Sequence, residues 1–191
     1  MMNSPILIAH KANILKKDID RENTIEYIEH ALRKGYSVEI EVYLQDNDFL
    51  TLSDDPDDVI DESFLENPKI YVNCVDEDCF EKLKNNLSIR CFYIYDDDEA
   101  YVSNCGETVI RNAVGNKMVS KNRIVMFPGT YDEFKLQYKT GIVPFGICTD
   151  HPESFKAGFE KEFGSFTEKV PERVSLTQFV RDIQSRDWKT A

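Results

Sequence analysis

The sequence is short of basic residues and of histidine. Its 191 residues include 23 Lys and Arg against 35 Asp and Glu, so the formal net charge is −12 at pH 7. An acidic surface repels the phosphate backbone of DNA and RNA, which disfavours a nucleic-acid partner. The chain has only three histidines, His10, His30 and His151, so any catalytic histidine is one of these.

The chain also lacks a long apolar run and a paired cysteine motif. No stretch approaches the roughly 20 apolar residues that a transmembrane helix needs. The N-terminus has no basic segment followed by a long apolar one, so no signal peptide is predicted. The five cysteines are scattered without a CxxC pair, which disfavours a zinc site. Reduced thiols and a cytoplasmic location are therefore expected.

Apolar runs that suit strands alternate with segments that suit helices. The strands are predicted at 5–9, 37–44, 69–75, 89–95, 123–128 and 143–150. The helices are predicted from an N-cap at Asn23 to Gly35, and at 76–86, 130–141, 152–163 and 175–188. The alternation favours an α/β domain spanning residues 1–191, with about six core parallel strands and short β excursions. An open doubly wound sheet and a closed barrel both remain compatible with this pattern.

Candidate functional residues follow from the strand ends, because ligands bind at the carboxyl ends of parallel strands in both architectures. His10 and Lys11 end the first strand, and His151 follows the last one. A histidine at either place also has a structural interpretation: His10 as a satisfied strand-end residue, and His151 as a surface loop residue before Pro152.

Two carboxylates of the second strand, Glu39 and Glu41, point to the same side because side chains alternate along a strand. Buried carboxylates are costly unless they are paired, and a hard cation such as Mg²⁺ or Ca²⁺ would satisfy both. In the alternative, this is an edge strand with Val38, Ile40 and Val42 inward and the two glutamates in solvent.

Taken in order, these pieces resemble a known family. The stretch "IAHK…ENTIEYIEHALRKGYSVEIEV…DNDFLTLSDDP", within residues 6–56, is similar to the start of the glycerophosphodiester phosphodiesterase family. That family has His-Arg-Gly, then Glu-Asn-Thr opening a helix, Glu-x-Asp on the second strand, and a His-Asp pair. The later "KIYVNCV" and "GICTD" resemble a short bacterial and phage branch of the same superfamily. The resemblance implies a reduced or distorted TIM-type (β/α) barrel.

The resemblance also implies hydrolysis of a small, glycerophosphodiester-like phosphodiester with the help of a divalent metal, Mg²⁺ or Ca²⁺. His10 matches the first catalytic histidine, and Lys11 takes the place of the arginine that neutralises the phosphate. Glu22, Glu39 and Glu41 match the metal carboxylates, although the family has Asp where Glu41 stands.

Other positions depart from the family pattern. Ser53 stands where the second catalytic histidine is expected, and a serine hydroxyl is a poor general acid at neutral pH. Asn73 and Val75 replace a third-strand glutamate and lysine. Asn23, Ser53 and Asn73, together with Lys11, are therefore assigned to substrate binding.

Two replacements for the missing groups are predicted. His151 is a candidate relocated acid, and Asp97 or Asp98 is a candidate replacement metal ligand. In the alternative, residues 96–98 form a solvated acidic turn. The main hypothesis is a metal-dependent phosphodiesterase with a rearranged site, including a variant that releases a cyclic phosphate. The alternative is an inactive descendant that binds a phosphorylated small ligand or a protein partner. The sequence leaves the oligomeric state unknown.

Overall fold

The computed structural model describes residues 5–53, 58–94, 100–111, 123–137, 144–164 and 166, and within them ten strands and five helices. The strands are β1 (Ile6–His10), β2 (Ser37–Gln45), β3 (Asp48–Thr51), β4 (Val59–Ile60), β5 (Ile70–Cys74), β6 (Arg90–Tyr93), β7 (Ala100–Val102), β8 (Thr108–Arg111), β9 (Arg123–Met126) and β10 (Gly146–Thr149). The helices are α1 (Ile25–Arg33), α2 (Glu62–Leu65), α3 (Glu77–Leu83), α4 (Tyr131–Gln137) and α5 (Pro152–Phe163).

All ten strands belong to one sheet. Seven of them pair in parallel, in the spatial order β6-β5-β2-β1-β10-β9-β8. The strands β3 and β4 continue antiparallel from β2, and β7 pairs antiparallel with β8. The first and last of these strands in chain order, β1 and β10, are direct neighbours in the sheet.

The predicted TIM-type barrel is wrong. The described residues form a curled, mixed half-barrel sheet in which strands predominate and helices do not alternate regularly with them. Within the same residues, no strand pair joins β6 to β8, so hydrogen bonding between strands does not close the sheet.

The β excursions explain the difference. After β2 the chain turns back at once, and Asp46 and Asn47 adopt the left-handed φ angles of a two-residue hairpin, 51° and 77°. The segment between β6 and β9 likewise forms β7 and β8, and β8 takes a place in the parallel series. Both excursions are therefore members of the sheet, where a barrel of alternating units would have a crossover helix.

Hydrogen bonds join β6 to the turn between β7 and β8. Asn104 N donates to Cys91 O, and Cys91 N donates to Asn104 Oδ1, each over 2.9 Å. Asn104 Nδ2 also donates to Ile89 O at 2.8 Å. One asparagine thus satisfies edge groups of β6 that a neighbouring strand would otherwise satisfy.

The two faces of the sheet carry different cores. Val38, Ile40 and Val42 of β2 face the helix-covered side and are fully buried. The concave face has a second apolar cluster, formed by Ile6, Ile8, Tyr71, Phe92, Val109, Ile124 and Cys148. Side chains of this cluster, together with Glu39, line a cavity of about 10 Å³. It has room for about one water molecule. Glu39 therefore points to the concave face, and the exposed-edge interpretation of β2 is wrong.

The N-cap of α1 is Thr24 rather than the predicted Asn23. The Thr24 side chain accepts from Tyr27 N, and its φ and ψ of −69° and 144° are typical of a cap. Asn23 instead has a left-handed φ of 61°, which turns its amide toward β2 and the end of β3.

No helix in the described part of the chain is long and apolar enough to span a membrane. The predicted helix at 175–188 lies outside the described residues.

Candidate active site

The site lies where β1, β2 and β10 end. The register places His10 beside Glu39 on β2, and Ala9 beside Thr149 on β10, so that Asp150 follows next to His10. Since the three strands are parallel, their carboxyl ends meet at one end of the sheet. Residues far apart in the chain are thereby brought within hydrogen-bonding distance.

His10 and Asp150 form the central pair. His10 Nδ1 lies 2.9 Å from Asp150 Oδ1, and His10 Nε2 lies 3.9 Å from Glu39 Oε2. A carboxylate only accepts, so Nδ1 carries the proton and Nε2 is the ring atom that can exchange one. This geometry orients His10 in the way a carboxylate orients a general acid–base histidine.

The charges around His10 raise its pKa. Burial alone would lower the pKa of the imidazole, but the nearby charge of Glu39 and the hydrogen bond and charge of Asp150 outweigh burial. The pKa of Asp150 is lowered, because the bonds from His10 and Asn13 outweigh its burial. Both pKa shifts favour the state in which His10 is protonated and Asp150 is ionised.

Glu39 is a buried carboxylate, only 2% exposed. Its Oε1 accepts from Asn73 Nδ2 at 3.1 Å, and its Oε2 accepts from Lys11 N at 3.2 Å. Burial, assisted by the charge of Glu41, raises the pKa of Glu39 in spite of the nearby His10. The predicted substrate residue Asn73 therefore contacts the predicted metal ligand Glu39.

Lys11 and Glu41 form an ion pair beside Glu39. Lys11 Nζ lies 2.9 Å from Glu41 Oε2, and both side chains are mostly buried. The Lys11 ammonium is thus the partner of Glu41 Oε2, at the distance of a charge-assisted hydrogen bond. Burial would lower the pKa of Lys11, but its contacts with Glu41 and the charge of Glu39 raise it.

Two residues of the site were given no role from the sequence: Asn13, and Asp150 at the end of the last predicted strand. Asn13 Nδ2 donates to Asp150 Oδ1 and to Glu22 Oε1, each over 2.9 Å, and so connects the predicted ligand Glu22 to the His10 pair. Asp150 could have been found from the sequence, because it follows the last parallel strand directly. Asn13 gave no comparable signal, since its role depends on the left-handed turn at Lys11 and Ala12, whose φ angles are 51° and 67°.

Other predicted residues have local structural contacts. Asn23 donates from Nδ2 to Leu52 O at 3.0 Å and accepts from Glu41 N at 3.1 Å. Ser53 Oγ lies 3.5 Å from Asp58 Oδ2, the carboxylate that also accepts from the first backbone N–H of α1. The substrate roles of Asn23 and Ser53 remain predictions.

The predicted acid His151 precedes α5, and its Nδ1 donates to Leu15 O at 2.8 Å. This bond attaches the ring to the backbone of the loop after β1. Its role as a relocated acid remains a prediction. Asp97 and Asp98 lie outside the described residues.

The site has an excess of acidic groups. Four carboxylates, those of Glu22, Glu39, Glu41 and Asp150, are connected to the two basic residues Lys11 and His10. The acidic groups outnumber the basic ones even when His10 is protonated. Such a site attracts cations, and a phosphate anion needs an added positive charge to bind there.

The donor set has the chemistry of a site for a hard divalent cation. Within the described part of the chain, no three ligating side chains already converge as a metal site. Mg²⁺, however, is commonly bound through one or two carboxylates plus water and substrate phosphate. The carboxylates of Glu39 and Glu41, two residues apart on β2, fit that mode, with Lys11 holding Glu41 Oε2 in place of a cation. Glu22 lies behind Asn13 as a further carboxylate.

No family model, curated protein or solved structure matches this chain.

Proposed function

We propose that this protein is a phosphodiesterase-like hydrolase of a small, glycerophosphodiester-like phosphodiester, with a rearranged site that works with Mg²⁺ or Ca²⁺. The observation that supports it is the position of the His10–Asp150 pair beside Glu39 and Glu41, at the carboxyl ends of parallel strands. The motif resemblance at the same residues points to the same reaction. The proposed substrate is a phosphorylated small molecule. The proposed location is the cytoplasm, because four buried cysteines form no disulfide: Cys74, Cys79, Cys91 and Cys148.

His10 is the proton-transfer group of the proposed reaction. Water forms a new P–O bond, the P–O bond to the leaving alcohol breaks, and one proton moves from the water to the leaving oxygen. His10 Nε2 takes the proton from the attacking water and returns it to solvent, solvent protonates the leaving oxygen, and Asp150 fixes the ring through Nδ1. Asp150 is thus a positioning residue, and Lys11 is the residue that neutralises phosphate charge.

The cation is assigned to Glu39 and Glu41, with Glu22 as a further carboxylate. When bound, it supplies positive charge that polarises the phosphoryl group. In its absence the acidic groups of the site oppose the approach of an anion.

A second candidate function is binding without turnover. It is favoured by the contacts that already occupy the site: Asn73 donates to Glu39, and Lys11 faces Glu41. Ser53, where the resemblance implies a second histidine, supplies no group of suitable pKa for protonating the leaving alcohol. In this alternative the site holds a phosphorylated small ligand or a protein partner.

Turnover of a chromogenic aryl phosphodiester, measured with Mg²⁺, Ca²⁺ or a chelator, separates the two functions. The hydrolase predicts turnover that needs the divalent ion and falls by at least about 100-fold in His10→Ala, the usual contribution of a general acid–base group. His30→Ala is the matched control, because His30 is a half-buried residue of α1 whose ring stacks on Tyr27 and not on the His10 pair. Absence of turnover with every ion tested would contradict the hydrolase and leave the binding function.

A further inference from the structure

Lys11 and Glu41 face each other, although the proposed function needs each of them for a different ligand. Lys11 is required for the phosphate and Glu41 for the cation. The 2.9 Å contact between Lys11 Nζ and Glu41 Oε2 satisfies both charges internally. Neither ligand can use its residue fully while that contact persists.

The backbone fixes the two ends of this ion pair. Lys11 N donates to Glu39 Oε2, and Asn23 N donates to Lys11 O at 3.2 Å. Glu41 lies within β2 in register with Asn73, and its N–H donates to Asn23 Oδ1. The contact is therefore broken by rotation of the two side chains, with the backbone in place.

We propose that the divalent cation and the phosphoryl group bind this site cooperatively, because each ligand breaks the same Lys11–Glu41 ion pair. A cation that takes Glu41 releases Lys11 for the phosphate, and a phosphate that takes Lys11 releases Glu41 for the cation. The second ligand then binds without having to break the pair. This inference rests on the proposed function, since it takes its two ligands from it.

Thermodynamic linkage makes the effect reciprocal. If phosphate tightens the binding of the cation by some factor, the cation must tighten the binding of phosphate by the same factor. Couplings between two sites in proteins usually lie between about 5-fold and 150-fold. Lys11 and Glu41 retain 23% and 16% side-chain exposure, so solvent weakens their attraction, and we expect about tenfold, near the lower end of that range.

The test is calorimetric titration of the full chain with Mg²⁺ and with inorganic phosphate, each alone and in the presence of the other. Blank titrations correct for association of Mg²⁺ with phosphate in solution. We expect each ligand to lower the Kd of the other by about tenfold. Equal Kd values with and without the second ligand, or no binding of Mg²⁺ even with phosphate present, would overturn the inference.

Two variants test the ion pair from opposite ends. Lys11→Met removes the ammonium, so Mg²⁺ alone should bind about tenfold more tightly than to the wild type. Glu41→Gln releases Lys11, so phosphate alone should bind more tightly and added Mg²⁺ should no longer help. Lys161→Met, at an exposed position in the last turn of α5, is the control and should match the wild type. An unchanged Mg²⁺ Kd in Lys11→Met, or an unchanged phosphate Kd in Glu41→Gln, contradicts the proposal.

These results are separable from those on the hydrolase. Coupled binding without turnover of the aryl phosphodiester supports the inference and removes the hydrolase. Metal-dependent turnover with independent binding of Mg²⁺ and phosphate overturns the inference and leaves the hydrolase in place.

Discussion

His10 owes its chemical character to its two carboxylate neighbours. Asp150 fixes the proton on Nδ1, and Glu39 lies 3.9 Å from Nε2. The pKa of His10 is raised, so the pair with Asp150 stabilises the fold fully below the ordinary histidine pKa and loses this effect as pH rises through the folded pKa. The pKa of Asp150 is lowered, so its contribution is complete above the ordinary aspartate pKa and is lost as pH falls through the folded value.

Replacing Asp150 by Asn should therefore change both the pKa of His10 and the free energy of unfolding. We expect the pKa of His10 to fall, because the neighbouring negative charge is gone, and the free energy of unfolding to drop by about 2 kcal/mol where both groups of the wild type are charged. The largest loss should lie between about pH 4 and pH 6.5, and it should shrink as pH rises further. NMR titration of the His10 ring and urea unfolding at several pH values measure these effects.

The matched control for that variant is Asp132→Asn, at an exposed position in the first turn of α4. It should leave the His10 titration as in the wild type. A His10 pKa that stays unchanged in Asp150→Asn would contradict the role given to the His10–Asp150 pair.

Secondary-structure elements were easier to predict than their pairing. Each of the six predicted strands coincides with one of the seven parallel strands, because continuous apolar runs mark strands that are buried on both faces. The hairpin-like excursion after the second strand was predicted and is present, but the place of β8 in the parallel series was missed, since it depends on contacts across the sheet. Periodicity describes one segment at a time and carries no information on which segments pair.

The side-chain hydrogen bonds of Asn104 should contribute measurably to the stability of the fold. Asn104→Ala removes the side-chain bonds to Cys91 N and Ile89 O, and leaves those edge groups of β6 without their partner. We expect the free energy of unfolding to fall by about 2–3 kcal/mol, because two hydrogen bonds are lost and their backbone partners are left unsatisfied. Urea denaturation measures the change.

Asn85→Ala is the control, because Asn85 is an exposed turn residue of the same type. It should change the stability by less than about 0.5 kcal/mol. Equal effects of the two substitutions would show that Asn104 does not link β6 to the turn after β7.

Across the whole molecule, ionised groups are buried at both ends of the concave face. The end opposite His10 has Arg90 with its Nε 3.3 Å from Glu107 Oε1, and their side chains are 6% and 10% exposed. Arg90 also donates to Pro68 O, and Ser103 donates to Glu107. These bonds satisfy both charged groups, and the pair joins β6 to the residue before β8, at the end of the sheet away from the proposed chemistry.

Removing one partner of this buried pair should be costly. We expect Arg90→Met to lower the free energy of unfolding by about 3–5 kcal/mol, because Glu107 is left as a buried, unpaired charge. The double variant Arg90→Met/Glu107→Leu should recover much of that loss. Arg33→Met is the control: it breaks an exposed ion pair with Glu29, worth less than about 1 kcal/mol. Thermal unfolding with a van't Hoff fit compares the variants, and a double variant as unstable as the single one would contradict the role of charge burial.

The sequence predicted part of the site. His10, Lys11, Glu39, Glu41 and Asn73 do lie together, because strand-end position and side-chain alternation are local properties of the chain. The arrangement of the other site residues depends on tertiary contacts. Asp150 reaches His10 only because β10 pairs with β1, and Asn13 connects to it only through a left-handed turn of the loop. Neither relation leaves a periodic signal in the sequence.

The pairing of β10 with β1 also sets how late in synthesis the candidate site can be completed. The bond between His10 and Asp150 spans 140 positions, so a chain growing from the ribosome carries His10 long before its partner is made. Closing a loop of that length costs entropy, and contacts of high sequence separation slow folding. A chain truncated before Gly146 lacks both Asp150 and the strand β10 that lies between β1 and β9, so we expect it to lack the candidate site.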